Sequence, residues 1–177
     1  MNTRIIGLSA AAAAAALIGL AAPVQAGGDK VAFPANYDKG VLYQTLDRPD
    51  SKQYRELYAP AEAVEAARKG KPIPHGTVLT LVQYRAVLDS AGNPTKNAEG
   101  RFSKGDLVGY AVMEKRAGWG AEYPPEIRNG EWEYQSFTPA KAVNDKANLT
   151  ACFQCHKPLP GNQDFVFSYD KLKAHGM

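Results

Sequence analysis

Apolar and polar residues alternate along several short stretches of this chain, with the two-residue period of a strand that buries one face. Five stretches between turn-forming residues show the pattern: 41–46, 53–58, 77–87, 107–114 and 131–137. In the third stretch, which is the clearest, Leu79 and Leu81 fall on one face and Val82 falls on the other. The pattern predicts an antiparallel sheet built from these five strands.

The fourth stretch carries unusually small residues. Alternation places Leu107, Gly109, Ala111 and Met113 on one face. Glycine and alanine in the middle of a strand often mark a place where another group approaches closely. The polar connection before this strand, residues 89–105, is long for a plain hairpin and is predicted to be functional or mobile.

Helical patterns occur in short segments. The first begins after Pro60, places Ala63, Val64 and Ala67 on one apolar stripe, and ends before Gly70. Residues 139–147 are predicted to form a helix or a helical turn. These helices and the five strands together predict an α+β fold, β-dominant, with an antiparallel sheet and a few short helices.

The N-terminus has the features of a secretory signal peptide. Arg4 supplies a positive charge, residues 5–20 are apolar and rich in alanine, and residues 22–26 end in a small-x-small pattern. These features predict cleavage after Ala26 and export from the cytoplasm. Removal of residues 1–26 leaves 151 of the 177 residues, a length that fits a single domain over residues 27–177.

The charge of the mature chain is nearly balanced. Without Arg4 it has 20 Lys and Arg against 18 Asp and Glu, a net charge of +2, and no block of basic residues. This pattern argues against a nucleic-acid partner. No apolar segment after the signal is long enough to predict a membrane span.

The most informative chemistry lies near the C-terminus, where Cys152, Cys155 and His156 form a Cys-x-x-Cys-His motif. Two thiols at this spacing can add to the two vinyl groups of one porphyrin, and the histidine that follows can bind the iron. A short helix capped by Asn148 or Thr150 is predicted to carry the motif. The motif predicts one covalent haem c per chain, with His156 as the metal ligand.

Other uses of a Cys-x-x-Cys pair are a redox dithiol, half of a zinc site and a structural disulfide. A zinc site needs further ligands, and the chain offers only His75, His175 and no third cysteine. A redox dithiol usually opens a helix after a strand, whereas this pair lies near the C-terminus. Haem attachment is therefore the favoured prediction, and the dithiol and the disulfide are the alternatives.

The order of several segments across the mature chain resembles the cytochrome P-460 family. These segments are NY at 36–37, YRELYA at 54–59, PHGTV at 74–78, GDLVG at 105–109, CFQCHK at 152–157 and DFVF at 164–167. The resemblance implies a β-rich, usually homodimeric periplasmic haem protein. Family enzymes oxidise hydroxylamine, using a lysine cross-linked to the porphyrin and a glutamate above the iron. A sister group, the cytochromes c′-beta, has an apolar distal side and binds nitric oxide or carbon monoxide.

Compared with that pattern, this chain has Leu81 at the place of the cross-linking lysine and Ala111 at the place of the glutamate. Hydroxylamine oxidation must remove protons, which requires a positioned base, and alanine offers none. We therefore expect a periplasmic cytochrome with five-coordinate iron and an apolar distal pocket that includes Leu81 and Ala111. Its expected partners are a small gas such as nitric oxide or carbon monoxide, a periplasmic redox protein and a second copy of the chain.

Two alternative functions depend on neighbouring residues. Glu114 would restore a base for hydroxylamine oxidation if the register shifted by one residue, although alternation predicts a solvent-exposed position on the opposite face. Met113 or His75 as a second iron ligand would instead make a six-coordinate electron-transfer cytochrome. The candidates to hold the haem propionates are Arg55, Arg85 and Arg101.

Overall fold

The computed structural model describes residues 30–176, so the predicted signal peptide lies outside the described residues. Its centre is one antiparallel sheet in which the strand order follows the chain, β1-β2-β3-β4-β5. The strands are β1 (Val41–Arg48), β2 (Gln53–Ala59), β3 (Val78–Ala86), β4 (Lys104–Lys115) and β5 (Trp132–Phe137). The β-dominant fold class and all five predicted strands are confirmed.

Within the described part of the chain, three α-helices accompany the sheet: α1 (Ala61–Arg68), α2 (Leu149–His156) and α3 (Tyr169–Ala174). The first begins after Pro60 and buries Ala63, Val64 and Ala67, as predicted. Short 3-10 turns occupy Tyr37–Lys39 and Gly161–Gln163. Within residues 30–176, no helix has the length and apolar character needed to cross a membrane.

The sheet has two differently covered faces. The front face carries Leu79, Met113, Trp132 and Tyr134, and the three α-helices contribute side chains to the apolar core against it. The back face includes Val82, Tyr110, Val112 and Phe137, which pack with Val31 and Phe33 from the N-terminal segment. Both faces of the sheet therefore pack against apolar cores, and the α-helices lie against the front face.

One residue of β4 lies on the opposite face of the sheet from the one predicted. Leu107 was expected beside Ala111 and Met113, but it packs against the back-face core. The strand pairing explains the error, because Gly109 pairs with Gln83 and Leu107 with Tyr84, which leaves Val108 without a partner. One extra residue in a strand reverses the alternation beyond it.

Residues 139–147 were predicted to form a helix or a helical turn, and they form no helix. This segment forms turns, in which the Thr138 amide donates to the Ala142 carbonyl and Val143 pairs with Phe137 as an isolated bridge. Lys141 has a φ of 65°, a left-handed conformation that no α-helix contains. The segment continues the edge of β5 as a tight reversal of the chain.

The long connection between β3 and β4 is organised by backbone pairing. Leu88 pairs with Pro94 and Lys96 pairs with Phe102, so that much of residues 87–103 forms a narrow ladder with a turn at its tip. Asp89 closes one bend by accepting hydrogen bonds from the amides of Ala91 and Asn93. This pairing explains why the connection between β3 and β4 is long, which the sequence alone did not.

Candidate haem site

Helix α2 carries the Cys-x-x-Cys-His motif. Its N-cap is Asn148, one of the two predicted caps, whose side-chain oxygen accepts a hydrogen bond from the Ala151 amide at 3.3 Å. Such a cap satisfies an amide that has no partner inside the helix. The cap therefore helps to fix where the motif's helix begins.

Phe153, the first residue between the two cysteines, attaches this helix to the sheet. Its side chain is 0% exposed, and its ring meets those of Tyr123 and Tyr134 edge to face, at centroid distances of 4.9 and 4.7 Å. The buried Asn129 side chain donates to the Phe153 carbonyl and to the Tyr134 hydroxyl, each at 3.0 Å. Burial raises the pKa of Tyr134, so this hydroxyl stays protonated.

The residue after the motif ties the helix to the loop before β5. The Lys157 ammonium donates to the carbonyl oxygens of Pro125 at 2.5 Å and Arg128 at 2.8 Å. Neither Lys157 nor Asn129 was predicted to support the site. A lysine beside a cysteine motif and an asparagine in a glycine-rich loop are common in protein sequences. Because their partners here are mostly backbone carbonyls, no sequence pattern indicates that these two residues support the motif's helix.

The two motif cysteines are free thiols and are not bonded to each other. Cys152 is half-buried and Cys155 is exposed, and burial raises the pKa of the Cys152 thiol. Within residues 30–176, no group of three or more His, Cys, Asp or Glu side chains is placed to hold a metal ion. The pair therefore lacks the additional side-chain ligands that a structural zinc site requires.

His156 has the geometry of an oriented metal ligand. Its Nδ1 lies 2.6 Å from the backbone carbonyl oxygen of Phe165. A carbonyl only accepts hydrogen bonds, so Nδ1 carries the proton and, in the neutral ring, Nε2 keeps its lone pair. Burial lowers the pKa of His156, which favours this neutral form. Metal-binding histidines are commonly oriented in this way by a hydrogen bond from the second ring nitrogen.

The His156 ring also lies between two aromatic side chains. Its centroid is 5.0 Å from that of Tyr134 and 4.8 Å from that of Phe167. Tyr134 is buried in the core, whereas Phe167 is 56% exposed. The ring is therefore fixed by the fold on one side and covered by a surface aromatic on the other.

The structure brings Leu81 and Ala111 together on the front face. They are direct partners in the β3–β4 pairing, and the same row continues through Leu57 on β2 and Ser136 on β5. All four side chains are partly exposed. The sheet thus offers a short row of uncharged residues, three of them aliphatic, on the same face as Tyr134, whose ring contacts that of His156.

Glu114 lies on the back face, as alternation predicted. Its pairing partners are Val78 on β3 and Glu133 on β5. The expectation that it is solvent-exposed is wrong, because only 5% of the residue is exposed and its carboxylate pairs with the Arg116 guanidinium at 2.5 Å. Neighbouring back-face side chains bury it although it lies near the end of β4.

Neither candidate for a second iron ligand, His75 or Met113, is free, and the Lys104 ammonium is paired as well. The His75 ring is hydrogen-bonded to the Glu131 carboxylate at 2.5 Å on the surface. The backbone amide of Gly118 and the His75 ring both lower the pKa of Glu131. Lys104 pairs with Glu56 on the back face at 2.8 Å. Met113 is on the front face with Ala111, as predicted, and its side chain packs against the apolar core.

Comparison with known protein families gives one match. The family described as Cytochrome P460 matches residues 34–168, most of the chain. The chain belongs to this family. Membership in the cytochrome P-460 family makes it a haem protein of the cytochrome class, and the resemblance found in the sequence is confirmed.

The side chains found here fit that cofactor. A neutral histidine with a free Nε2, two unpaired thiols on the same helix and a neighbouring apolar row are groups that can hold a haem at one place. His156 would bind the iron, Cys152 and Cys155 would bond the porphyrin, and Leu81 and Ala111 would be apolar contacts of the haem pocket.

Proposed function

We propose that this cytochrome P-460 family member is a periplasmic mono-haem c-type cytochrome that binds small gases such as nitric oxide or carbon monoxide. The observation that carries the proposal is the row of Leu57, Leu81 and Ala111, which is uncharged and aliphatic on the face beside His156. When bound, the haem supplies an iron with one open coordination position for a diatomic ligand.

The covalent link is assigned to the motif cysteines. The thiols of Cys152 and Cys155 would each add across one vinyl group. The sulfur would bond to one carbon of the former double bond, and the thiol hydrogen would go to the other carbon. A single motif in the chain corresponds to one haem per chain. The helix cap and the buried Phe153 hold the two thiols at a constant spacing while the attachment takes place.

The aliphatic row determines which ligands are favoured. Leu81 and Ala111 have no hydrogen-bond donor or acceptor in their side chains, so they neither stabilise a charged ligand nor remove a proton from one. Neutral diatomics lose little hydration on entering such a pocket, whereas a strongly hydrated ligand must leave its water without compensation. The residues therefore favour nitric oxide and carbon monoxide.

The placement of other residues weighs against the two alternatives. Oxidation of hydroxylamine needs a base on the front face, and the Glu114 carboxylate lies on the back face, paired with Arg116. Electron transfer through six-coordinate iron needs a second protein ligand. His75 is bound to Glu131, and Met113 packs in the core.

Among the candidates for the haem propionates, Arg55 is placed best. It pairs with Leu46 and Gln83, two residues along the strands from the row of Leu81 and on the same front face, and burial lowers its pKa. Arg101 is engaged with Asp47 at 3.3 Å, and Arg85 is exposed. We assign Arg55 as a propionate partner.

The remaining parts of the proposal concern the protein's setting. The signal-like residues 1–26 support export and cleavage after Ala26, and c-type haem attachment takes place outside the bacterial cytoplasm. A periplasmic location, a homodimer like those usual in the family, and a periplasmic redox partner that keeps the iron reduced complete the proposed function.

Optical spectra of the purified, reduced protein with and without carbon monoxide test this function. We expect a high-spin, five-coordinate spectrum that changes at once on addition of carbon monoxide or nitric oxide. An Ala111→Glu variant should bind carbon monoxide about tenfold more weakly or worse, because a carboxylate on the apolar wall loses its water when the neutral ligand enters and gains no partner in exchange. Ala98→Glu, in an exposed turn, is the matched control and should bind normally.

Two results would overturn the proposal. A low-spin spectrum that ignores carbon monoxide would show a second protein ligand on the iron, and electron transfer would be the better assignment. Steady consumption of hydroxylamine with an artificial electron acceptor would establish the oxidase instead. A variant with both Leu81→Lys and Ala111→Glu tests the role proposed for these two positions, and a gain of hydroxylamine oxidation is expected from the pair.

A further inference from the structure

The carbonyl that accepts the His156 hydrogen bond belongs to an unusual turn. Asp164 and Phe165 are consecutive non-glycine residues in the left-handed region, with φ of 49° and 58°. Aspartate tolerates this conformation, but a bulky residue such as phenylalanine rarely adopts it. Contacts elsewhere must therefore hold the turn in place.

Lys115 supplies the main contact. Its ammonium lies 2.7 Å from Asp164 Oδ2, and the Ile73 backbone amide donates to the same oxygen at 3.0 Å. The ammonium also donates to the Ile73 carbonyl at 3.0 Å. The side chains of Lys115 and Asp164 are only 9% and 14% exposed, so water weakens this ion pair far less than it weakens a surface pair. The network joins the end of β4, the loop before β3 and the turn.

The Phe165 side chain is held on the other side of the turn. Gly130 packs against its ring so closely that an added Cβ would lie 3.2 Å from Phe165 Cε2. The Asp164 carboxylate and the Phe165 ring are thus both fixed, and the peptide carbonyl of Phe165 is left directed at His156 Nδ1. A continuous set of contacts runs from Lys115 through Asp164 and Phe165 to the imidazole.

We propose that Lys115 and Asp164 are positioning residues for His156, which set the orientation and the electron donation of the iron ligand. The inference rests on the proposed function only in taking His156 as that ligand. A well-directed hydrogen bond from Nδ1 makes Nε2 a stronger donor to a metal. A stronger donor favours the oxidised iron and lowers its reduction potential. The buried ion pair thereby tunes the haem from a distance, through one backbone carbonyl.

Three variants test the proposal. Asp164→Asn removes the charge and Asp164→Gly removes the whole side chain, while both residues still accept the left-handed backbone. Lys115→Met removes the cation. In the reduced haem protein, each variant should shift the iron–histidine stretching band to lower frequency and the reduction potential to more positive values. Asp164→Asn combined with Lys115→Met should shift them no further than the larger single effect, since both act through one carbonyl.

Glu65→Gln is the matched control, because it breaks an exposed carboxylate–lysine pair, to Lys69, far from the turn in the chain. It should leave both readouts unchanged. Variants that lower the unfolding midpoint but keep the wild-type band and potential would show a merely structural role and overturn the proposal. So would shifts of equal size in Glu65→Gln.

A second readout does not need the cofactor. Nitrogen NMR of the haem-free Cys152→Ser/Cys155→Ser chain labelled with ¹⁵N-histidine should show His156 as the Nδ1-protonated tautomer, and the same chain with Asp164→Asn or Asp164→Gly should show a mixture of tautomers. An Nε2-protonated ring in the haem-free chain with Asp164 intact would overturn the proposal. A wild-type chain that purifies without haem but shows the expected tautomers would instead contradict the proposed function and leave the positioning by Asp164 supported.

Discussion

A His156→Ala variant should keep its haem on the two cysteines and lose the spectrum of histidine-ligated iron. The neutral His156 ring, held through Nδ1 with Nε2 open, is the side chain on α2 that is placed to bind the metal. Truncation leaves a cavity between Tyr134 and Phe167 that can admit free imidazole. Added imidazole should therefore restore the wild-type spectrum, as followed by absorption titration of the reduced protein.

His175→Ala is the control for that experiment, because His175 lies at the C-terminal end of α3 and should not affect the iron. A His156→Ala protein with an unchanged spectrum would mean that another side chain binds the iron. The same conclusion would follow if His175→Ala alone lost the histidine-ligated spectrum.

The largest effect on stability is expected from Phe153→Ala. This ring is fully buried between Tyr123 and Tyr134, and truncation of a buried phenylalanine typically costs about 3–5 kcal/mol. That is a large share of the roughly 5–15 kcal/mol by which a domain is stable. Urea or guanidinium unfolding of the purified protein should show a much lower midpoint.

Phe167→Ala is the matched control for the unfolding experiment. It removes the same side chain from the same region, but Phe167 is 56% exposed, so the free energy of unfolding should fall by less than about 1 kcal/mol. Equal losses in the two variants would contradict the view that Phe153 anchors the motif's helix to the sheet.

Periodicity in the sequence was sufficient to predict the sheet, because each strand pairs with its neighbour in the chain and successive side chains alternate between its two faces. Helix α1 was predicted equally well, since Pro60 and Gly70 mark its ends. The two errors have local causes. A bulge at Val108 turned Leu107 to the back face, and pairing of Val143 with Phe137 overrode the helical composition of residues 139–147.

Some residues of the candidate site could likewise be predicted from the sequence, and others could not. The motif residues are recognisable because covalent haem attachment requires a fixed spacing of reactive side chains. Leu81 and Ala111 were expected in one pocket from the resemblance to the cytochrome P-460 family, and the β3–β4 pairing places them on one face. The Phe165 carbonyl could not be predicted, because every residue has a carbonyl and its direction depends on an unusual turn. The ion pair of Lys115 with Asp164 links residues far apart in sequence, and no local pattern indicates that they meet.

Mass spectrometry of the denatured, purified protein tests most directly the claim that Cys152 and Cys155 hold one haem covalently. Covalent attachment predicts the mass of residues 27–177 plus one haem, a mass that persists after acid and organic extraction. Cys152→Ser with Cys155→Ser should give the mass of the polypeptide alone after the same treatment. A wild-type chain that also shows only the polypeptide mass would contradict the account.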